Sequence, residues 1–163
     1  MVDSMWFYLA AYLFMNLGAF AILQTVTDQS GSEDMSQFAG LYRRNPLLAI
    51  MMGVFLLSLA GIPGTAGFIG KAHIFLGAFA TEPAHYVLAA VMIATTVVSY
   101  VYYFGLFTQI FFRPAAQHES FSVPVGATIV VAVCALGTLL FGVMPGWLYA
   151  LLDKFHHFSD FLR

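Results

Sequence analysis

The sequence predicts an all-α membrane protein with about four transmembrane helices, one of them discontinuous, and three observations support this. Hydrophobic residues make up 61% of the 163 residues and charged residues 9%, whereas a soluble globular chain is about half apolar and about a quarter charged. Four apolar stretches approach or exceed the ~20 residues that a bilayer crossing needs. One of them is interrupted by glycine and proline. We therefore treat residues 1–163 as a single membrane unit in contact with a lipid bilayer.

The first predicted span covers residues 5–23, which carry no charge and are close in length to the ~20 residues of a bilayer crossing. Residues 24–45 follow as a polar loop. Within this loop Met35, Phe38 and Tyr42 recur at helical spacing. This spacing predicts a short helix at the membrane interface.

The second predicted span, residues 46–80, contains the interruption. Asn45 and Pro46 begin it, because asparagine caps free backbone N–H groups and proline needs no N–H at the first helical position. An unbroken helix of this length would measure about 50 Å, which exceeds the hydrocarbon core. Proline removes a helical hydrogen bond, and glycine adopts backbone angles that other residues avoid. We therefore predict a helix break whose residues are Gly61, Pro63, Gly64 and Gly67.

Two further spans are predicted after the break. Residues 86–112 and 125–143 carry no charge, and each is about long enough to cross a bilayer. Residues 113–122 form a second polar loop between them. Tyr100 and Tyr103 stand at i, i+3 spacing on the third span, where their hydroxyls either extend a chain of water molecules or serve only in aromatic packing.

Lys71 is the main candidate functional residue. A lysine at the centre of a membrane helix costs about 2.5 to 3.5 kcal/mol on insertion scales, so its presence needs a reason. Irregular backbone at membrane depth is tolerated only where it is buried in protein or lines a water-filled cavity, and Lys71 follows such a break. We predict a buried lysine that exchanges a proton with water and acts as a proton relay. The alternative is a long side chain that extends to the membrane surface without further function.

His73 is a possible second relay group, although two helical positions separate it from Lys71 by about 200°. Other chemistry finds no support in the sequence. There is no glycine-rich phosphate loop, no pair of acids within a span and no basic run, and Cys134 has no partner thiol. Phosphate binding, thiolate metal sites and nucleic-acid recognition each need one of these features. We therefore expect no metal, no bound cofactor, no nucleic-acid partner and no catalysis on a soluble substrate.

Three stretches of the sequence resemble the antiporter-like membrane subunits of NADH:quinone oxidoreductase, respiratory complex I, and in particular subunit N. They are YLFMNLGAF at residues 12–20, FAGLYRRNP at 38–46 and LSLAGIPGTAGFIGK at 57–71. The resemblance implies a multi-pass bundle with broken helices in the cell inner (cytoplasmic) membrane, partnered by other membrane-arm subunits of the complex. It also implies that protons are the transported ion. Oxidation of NADH and reduction of quinone would take place in other subunits of the translocase.

The resemblance further implies a role for single residues. Lys71 matches the family's lysine on the C-terminal broken helix, toward the outer half of the proton path, and residues 61–67 match the break. Two positions depart from the family pattern, which often has a second proline in place of Gly64 and commonly has an aromatic residue in place of His73. Family members are much longer, so we expect this chain to correspond to the C-terminal part of such a subunit or to a separately encoded piece of it.

Two alternative functions remain open from the sequence. A subunit of a multi-subunit cation/proton antiporter would share the lysine on a broken helix but would move sodium and protons without NADH oxidation. A purely structural four-helix segment would tolerate any replacement of Lys71.

Overall fold

The computed structural model describes residues 2–32, 34–80, 85–114, 123–147 and 150. These residues form α-helices and one short 3-10 helix, with no strand among them. The helices are α1 (Val2–Ser30), the 3-10 helix (Met35–Phe38), α2 (Leu41–Arg44), α3 (Pro46–Ala60), α4 (Ala66–Ala80), α5 (Tyr86–Phe112) and α6 (Val125–Val143). Within the described part, three helices are long and apolar enough to cross a membrane, and α3 and α4 are shorter apolar helices. The predicted fold class is confirmed.

Helix α1 is longer than the sequence predicted. The loop predicted at residues 24–45 begins too early, because the helix continues to Ser30. Val26 is fully buried and Thr25 is nearly so, and the Thr25 hydroxyl donates a hydrogen bond of 2.7 Å to the Ala21 carbonyl. A hydroxyl that bonds within its own helix is tolerated there. The polar end of α1 therefore stays helical because one of its faces still packs on the core.

The segment between α1 and α3 packs against the far end of α5. Gly40 has a φ of 65° and starts α2, and its N–H donates a hydrogen bond of 3.0 Å to the Gln109 carbonyl. The Arg44 guanidinium donates to the Gln37 carbonyl at 3.3 Å, and the Tyr42 ring lies against that of Phe111. The sequence predicted one short helix here, and the two that are observed tie the beginning of α3 to the end of α5.

The predicted start of α3 is observed. The Asn45 side-chain oxygen accepts a hydrogen bond of 3.1 Å from the Leu48 N–H, and Pro46 occupies the first helical position. Asparagine satisfies a free N–H group of the first turn, and proline gives up no hydrogen bond there.

The predicted helix break is confirmed at Gly61, Pro63 and Gly64, whereas Gly67 already lies within α4. α3 ends at Ala60, and α4 begins at Ala66. Gly61 and Gly64 have φ values of 84° and 91°, which residues with a Cβ rarely adopt. Proline is held to a φ of about −65°, so a proline in place of Gly64 would require a different loop from the one that Gly64 forms.

The end of α3 satisfies its backbone groups in a defined way. The Gly61 N–H donates to the Ser58 carbonyl at 3.0 Å, and the Ile62 N–H donates to the Leu57 carbonyl at 3.1 Å. These two bonds, with a left-handed glycine between them, form a Schellman ending. They leave the carbonyls of Leu59 and Ala60 free to accept hydrogen bonds from side chains.

The interrupted helix lies at the centre of the described bundle. Both α3 and α4 contact α1, α5 and α6. The main core cluster joins buried side chains of α1, α3, α5 and α6, among them Ile22, Met52, Phe55, Ile110 and Val131. Helix α5 lies at the edge, because its buried residues are only Ala89, Leu106 and Ile110.

The last two predicted spans agree in bounds with α5 and α6. The second polar loop, predicted at residues 113–122, lies outside the described residues except for Arg113 and Pro114. The positions of the membrane surfaces along all four spans stay a prediction.

Candidate functional site

Lys71 reaches from α4 to the open end of α3. Its Nζ atom donates a hydrogen bond of 2.8 Å to the Leu59 carbonyl and a longer one of 3.5 Å to the Ala60 carbonyl. The aliphatic stem lies over Gly61, where a Cβ would stand 3.4 Å from the lysine Cδ. Lys71 therefore occupies the two acceptors that the Schellman ending leaves free.

The sequence predicted a buried lysine, and this is wrong in degree, because Lys71 is only half-buried in the described chain. The physical reason is that its amine lies between two cavities, both of which it lines. The side chain covers the end of α3, while open space remains on either side of it.

The carbonyl end of a helix supplies the charge that an ammonium group needs. The free carbonyls at a helix C-terminus carry about half a negative charge, and Lys71 binds two of them. Among the described residues, no aspartate or glutamate lines either cavity beside the lysine. The backbone of α3 is thus the counter-charge that the described part of the chain provides.

Ser58 fixes the start of α4 on the end of α3. It is fully buried, and its hydroxyl accepts a hydrogen bond of 3.2 Å from the Gly67 N–H. A Cβ at position 67 would stand 1.8 Å from the Ser58 carbonyl oxygen, so only glycine allows this approach. Because Lys71 is one turn further along α4, this contact sets how far its amine reaches.

The more polar of the two cavities beside Lys71 has a volume of about 280 Å³ and lies between α1, α3, α4 and α5. One molecule of liquid water occupies about 30 Å³, so the cavity has room for several. Tyr8 and Tyr12 line it from α1, and Ser58 lines it from α3. Helix α5 contributes Thr95, Thr96, Ser99 and Tyr103. A wall with this many hydroxyls can hold a chain of hydrogen-bonded water next to the lysine.

A second cavity of about 350 Å³ lies on the other side of Lys71, and apolar side chains make up most of its wall. Tyr100 belongs to this second cavity, whereas Tyr103 belongs to the first. The structure therefore separates the two tyrosines that the sequence grouped together. His73 is exposed and absent from the linings of both cavities, and its relay role stays a prediction without geometric support.

Most of the hydroxyl wall was missed in the sequence. The signal was present on α5, where Thr95, Ser99 and Tyr103 follow one another at i, i+4 and i+8 and so share one face of an uncharged helix. Tyr8 and Tyr12 show the same i, i+4 spacing on α1. The sequence does not show the packing that brings these two rows of hydroxyl residues to the same lysine.

Comparisons with known proteins show which family the chain is similar to. Residues 1–99 match the model of the family described as NADH:quinone oxidoreductase/Mrp antiporter, TM. A relative from Geobacillus sp. (strain WCH70), named NADH-quinone oxidoreductase subunit N, is 72% identical over 153 residues, which is 94% of this chain and 31% of the relative. The relative of the same name from Anoxybacillus flavithermus is 61% identical over 163 residues, 100% of this chain and 33% of its own length. The chain thus spans about a third of the curated relatives it matches.

A solved structure shares the fold. A chain of the respiratory complex I from Thermus thermophilus with bound Aureothin superimposes with a TM-score of 0.74 at 29% sequence identity. The match covers 91% of this chain and 34% of that chain.

Proposed function

Because the chain belongs to the NADH:quinone oxidoreductase/Mrp antiporter membrane family, we propose that it forms part of a proton-translocating membrane-arm subunit of NADH:quinone oxidoreductase. Lys71 takes up and releases one proton in each transport step. The observation that carries this proposal is the position of the Lys71 amine, bound to the Leu59 carbonyl at 2.8 Å and next to a hydroxyl-lined cavity.

The surroundings of the amine suit a group that changes its protonation. Burial in a medium of low dielectric constant disfavours the ammonium form, whereas hydrogen bonds to helix-terminal carbonyls favour it. These two effects oppose each other at Lys71. An arginine would keep its proton throughout, so lysine is the cation that can complete a relay.

The location and partners follow from the same proposal. The chain would be a multi-pass component of the cell inner membrane, surrounded by lipid and by other membrane-arm subunits. The names of the relatives support this, since they are called subunits N of the NADH-quinone oxidoreductase. Electron transfer from NADH to quinone would proceed in other subunits, and this segment would contribute proton movement alone.

Replacement of Lys71 in the full-length subunit within the assembled complex tests the proposal. We expect Lys71→Ala to lower proton pumping and quinone reduction together, while the amount of assembled complex stays near that of the wild type, because alanine suits a helix. Lys71→Arg should also be impaired, because its charge is permanent. Leu76→Ala is the matched control, since it shortens a side chain on α4 that is 63% exposed and carries no proton. Both rates are measured per assembled complex in everted membrane vesicles.

Each outcome has a distinct meaning. Full activity of Lys71→Arg would show that a fixed positive charge suffices, and the proton exchange at this residue would be wrong. If Lys71→Ala were also fully active, the chain would be a purely structural segment.

The second candidate function is a subunit of a cation/proton antiporter, because the description of the matching family includes Mrp antiporters. The same vesicles separate the two. Proton movement driven by a sodium gradient without NADH would favour the antiporter, whereas pumping that starts only on addition of NADH favours the oxidoreductase.

A further inference from the structure

We propose that Tyr8, Tyr12 and Tyr103 carry protons between water and Lys71, as a relay of three phenolic hydroxyls joined by water molecules in the hydroxyl-lined cavity. This inference rests on the proposed function and deepens it, because it names the groups that deliver the proton to the lysine.

The two tyrosines of α1 are held close to the lysine by packing. Gly70 lies directly against Tyr8, since a Cβ at position 70 would stand 2.8 Å from a Tyr8 ring carbon. Gly70 is also the residue before Lys71 on α4. The rings of Tyr8 and Tyr12 stack with centroids 5.7 Å apart, so the position of the first ring fixes that of the second.

Tyr103 completes the group from α5, on the other side of the same cavity. Tyr8 and Tyr12 line this cavity from α1, so the three tyrosines share one space. Three tyrosines from two separate helices therefore line the cavity that Lys71 also lines.

The other hydroxyls in the wall are less suited to pass a proton onward. Thr96 donates its hydroxyl hydrogen to the Met92 carbonyl at 2.7 Å, and Ser99 donates to the Thr95 carbonyl at 2.8 Å. Their oxygens can accept a hydrogen bond from water, but their own protons are engaged. Within the described residues, no hydrogen bond engages the three phenols, so each can donate one proton and accept another through water.

The transfer balances without electrons. A protonated water at the cavity gives a proton to a phenolic oxygen, which passes its own hydrogen to the next water. The last water donates to the lone pair of the neutral Lys71 amine and produces an ammonium. Every phenol ends with one O–H bond, as it began, so the sole net change is one proton moved to Nζ.

The test replaces the three hydroxyls without removing the rings. Tyr8→Phe, Tyr12→Phe and Tyr103→Phe are made singly and together in the full-length subunit of the assembled complex, with Lys71→Ala in the same set. Tyr86→Phe is the matched control, because it makes the same change on α5 at a residue that is 67% exposed and about 25 Å along the helix from Tyr103. Proton pumping and NADH oxidation are measured per assembled complex in H₂O and in D₂O.

We expect the triple variant to pump roughly tenfold more slowly, since a positioned proton donor contributes about a hundredfold or more and water replaces part of it. Its H₂O-to-D₂O rate ratio should rise, because proton delivery becomes the slow step, whereas loosened packing alone would not change that ratio. Tyr86→Phe should match the wild type in both measurements. A triple variant with wild-type pumping and an unchanged isotope ratio would overturn the inference.

The set of variants also distinguishes the two proposals. If Lys71→Ala loses pumping and the triple tyrosine variant does not, the role of Lys71 is supported and the delivery of protons by the tyrosines is wrong. If Lys71→Ala pumps normally, the proposed function itself is wrong, whatever the tyrosine variants do.

Discussion

The two halves of the interrupted helix have the same length, 15 residues each, but they are held in place by different means. Large side chains of α3 are buried in the core, including Leu48, Met52 and Phe55. The buried residues of α4 are all small, namely Ala66, Gly67, Gly70 and Ala78. Side-chain packing therefore holds α3, whereas α4 is held by the close approach of its backbone to its neighbours.

This difference explains where the lysine can reside. A helix that fills its surroundings with large side chains leaves no room for water, as in the core around Phe55, which is 0% exposed. A helix that contacts its neighbours through glycine does not fill the space around it, so gaps remain next to its larger residues. Lys71 is one residue beyond Gly70, at the edge of such a space. Helix α3 therefore provides a rigid hydrogen-bond acceptor, and α4 carries the lysine that binds it.

The largest effect is expected when a Cβ is added where the backbone of α4 comes closest to that of α3. Gly67→Ala should prevent normal assembly, because the new carbon would stand 1.8 Å from the Ser58 carbonyl oxygen and backbone cannot yield as a flexible side chain can. Immunoblotting of the subunit in purified complex measures the effect. Gly105→Ala is the control, since nothing lies within 4 Å of its new carbon. Equal assembly of the two variants would show that α4 does not depend on this approach.

The second prediction concerns the half that is held by side chains. Phe→Ala in a soluble core costs about 3 to 5 kcal/mol. Lipid is as apolar as the core, so in a membrane we expect the packing part alone, on the order of 2 kcal/mol. Phe55→Ala should therefore lower the temperature at which the detergent-purified complex loses this subunit. Phe112→Ala, at a residue that is 77% exposed, should change that temperature little, and an equal loss would contradict the role of α3 as the packed half.

The smallest predicted effect concerns the hydrogen bond that joins α3 to α4. Ser58→Ala removes the hydrogen bond to the Gly67 N–H and should cost on the order of 1 kcal/mol, with assembly preserved. Because the start of α4 loosens, the Lys71 amine should bind the Leu59 carbonyl less regularly, and pumping and NADH oxidation should fall together, by less than in Lys71→Ala. Ser36→Ala makes the same change at an exposed position. Equal rates of pumping and of NADH oxidation per assembled complex in Ser58→Ala and Ser36→Ala would refute this link.

The fold was predictable wherever one residue determines local structure. Asn45 and Pro46 can begin a helix in any surroundings, and the glycines around Pro63 can interrupt one, so both ends of α3 were found from the sequence. The end of α1 was not found, because Thr25 and Val26 are polar or ordinary in the sequence and become helical only through the core on which they pack.

The candidate site was predictable in its charge and not in its surroundings. Lys71 was identified because a lone cation in an apolar chain is costly, and that cost is visible in the sequence. Its acceptor, the Leu59 carbonyl, is a backbone atom that every residue has, so no pattern of side chains marks it. The tyrosines that line its cavity lie on α1 and α5, and only the packed bundle brings them together.

Helix α6 approaches the loop of the break as closely as glycine permits. A Cβ at Gly142 would stand 2.9 Å from the Gly64 carbonyl oxygen and 2.8 Å from the Ala66 amide nitrogen. The loop is thus supported from behind by α6, with Lys71 over its other side at Gly61. A loop supported in this way behaves as a fixed joint, so we expect that any movement accompanying proton transfer swings the lysine side chain and α5, while the two half-helices keep their angle.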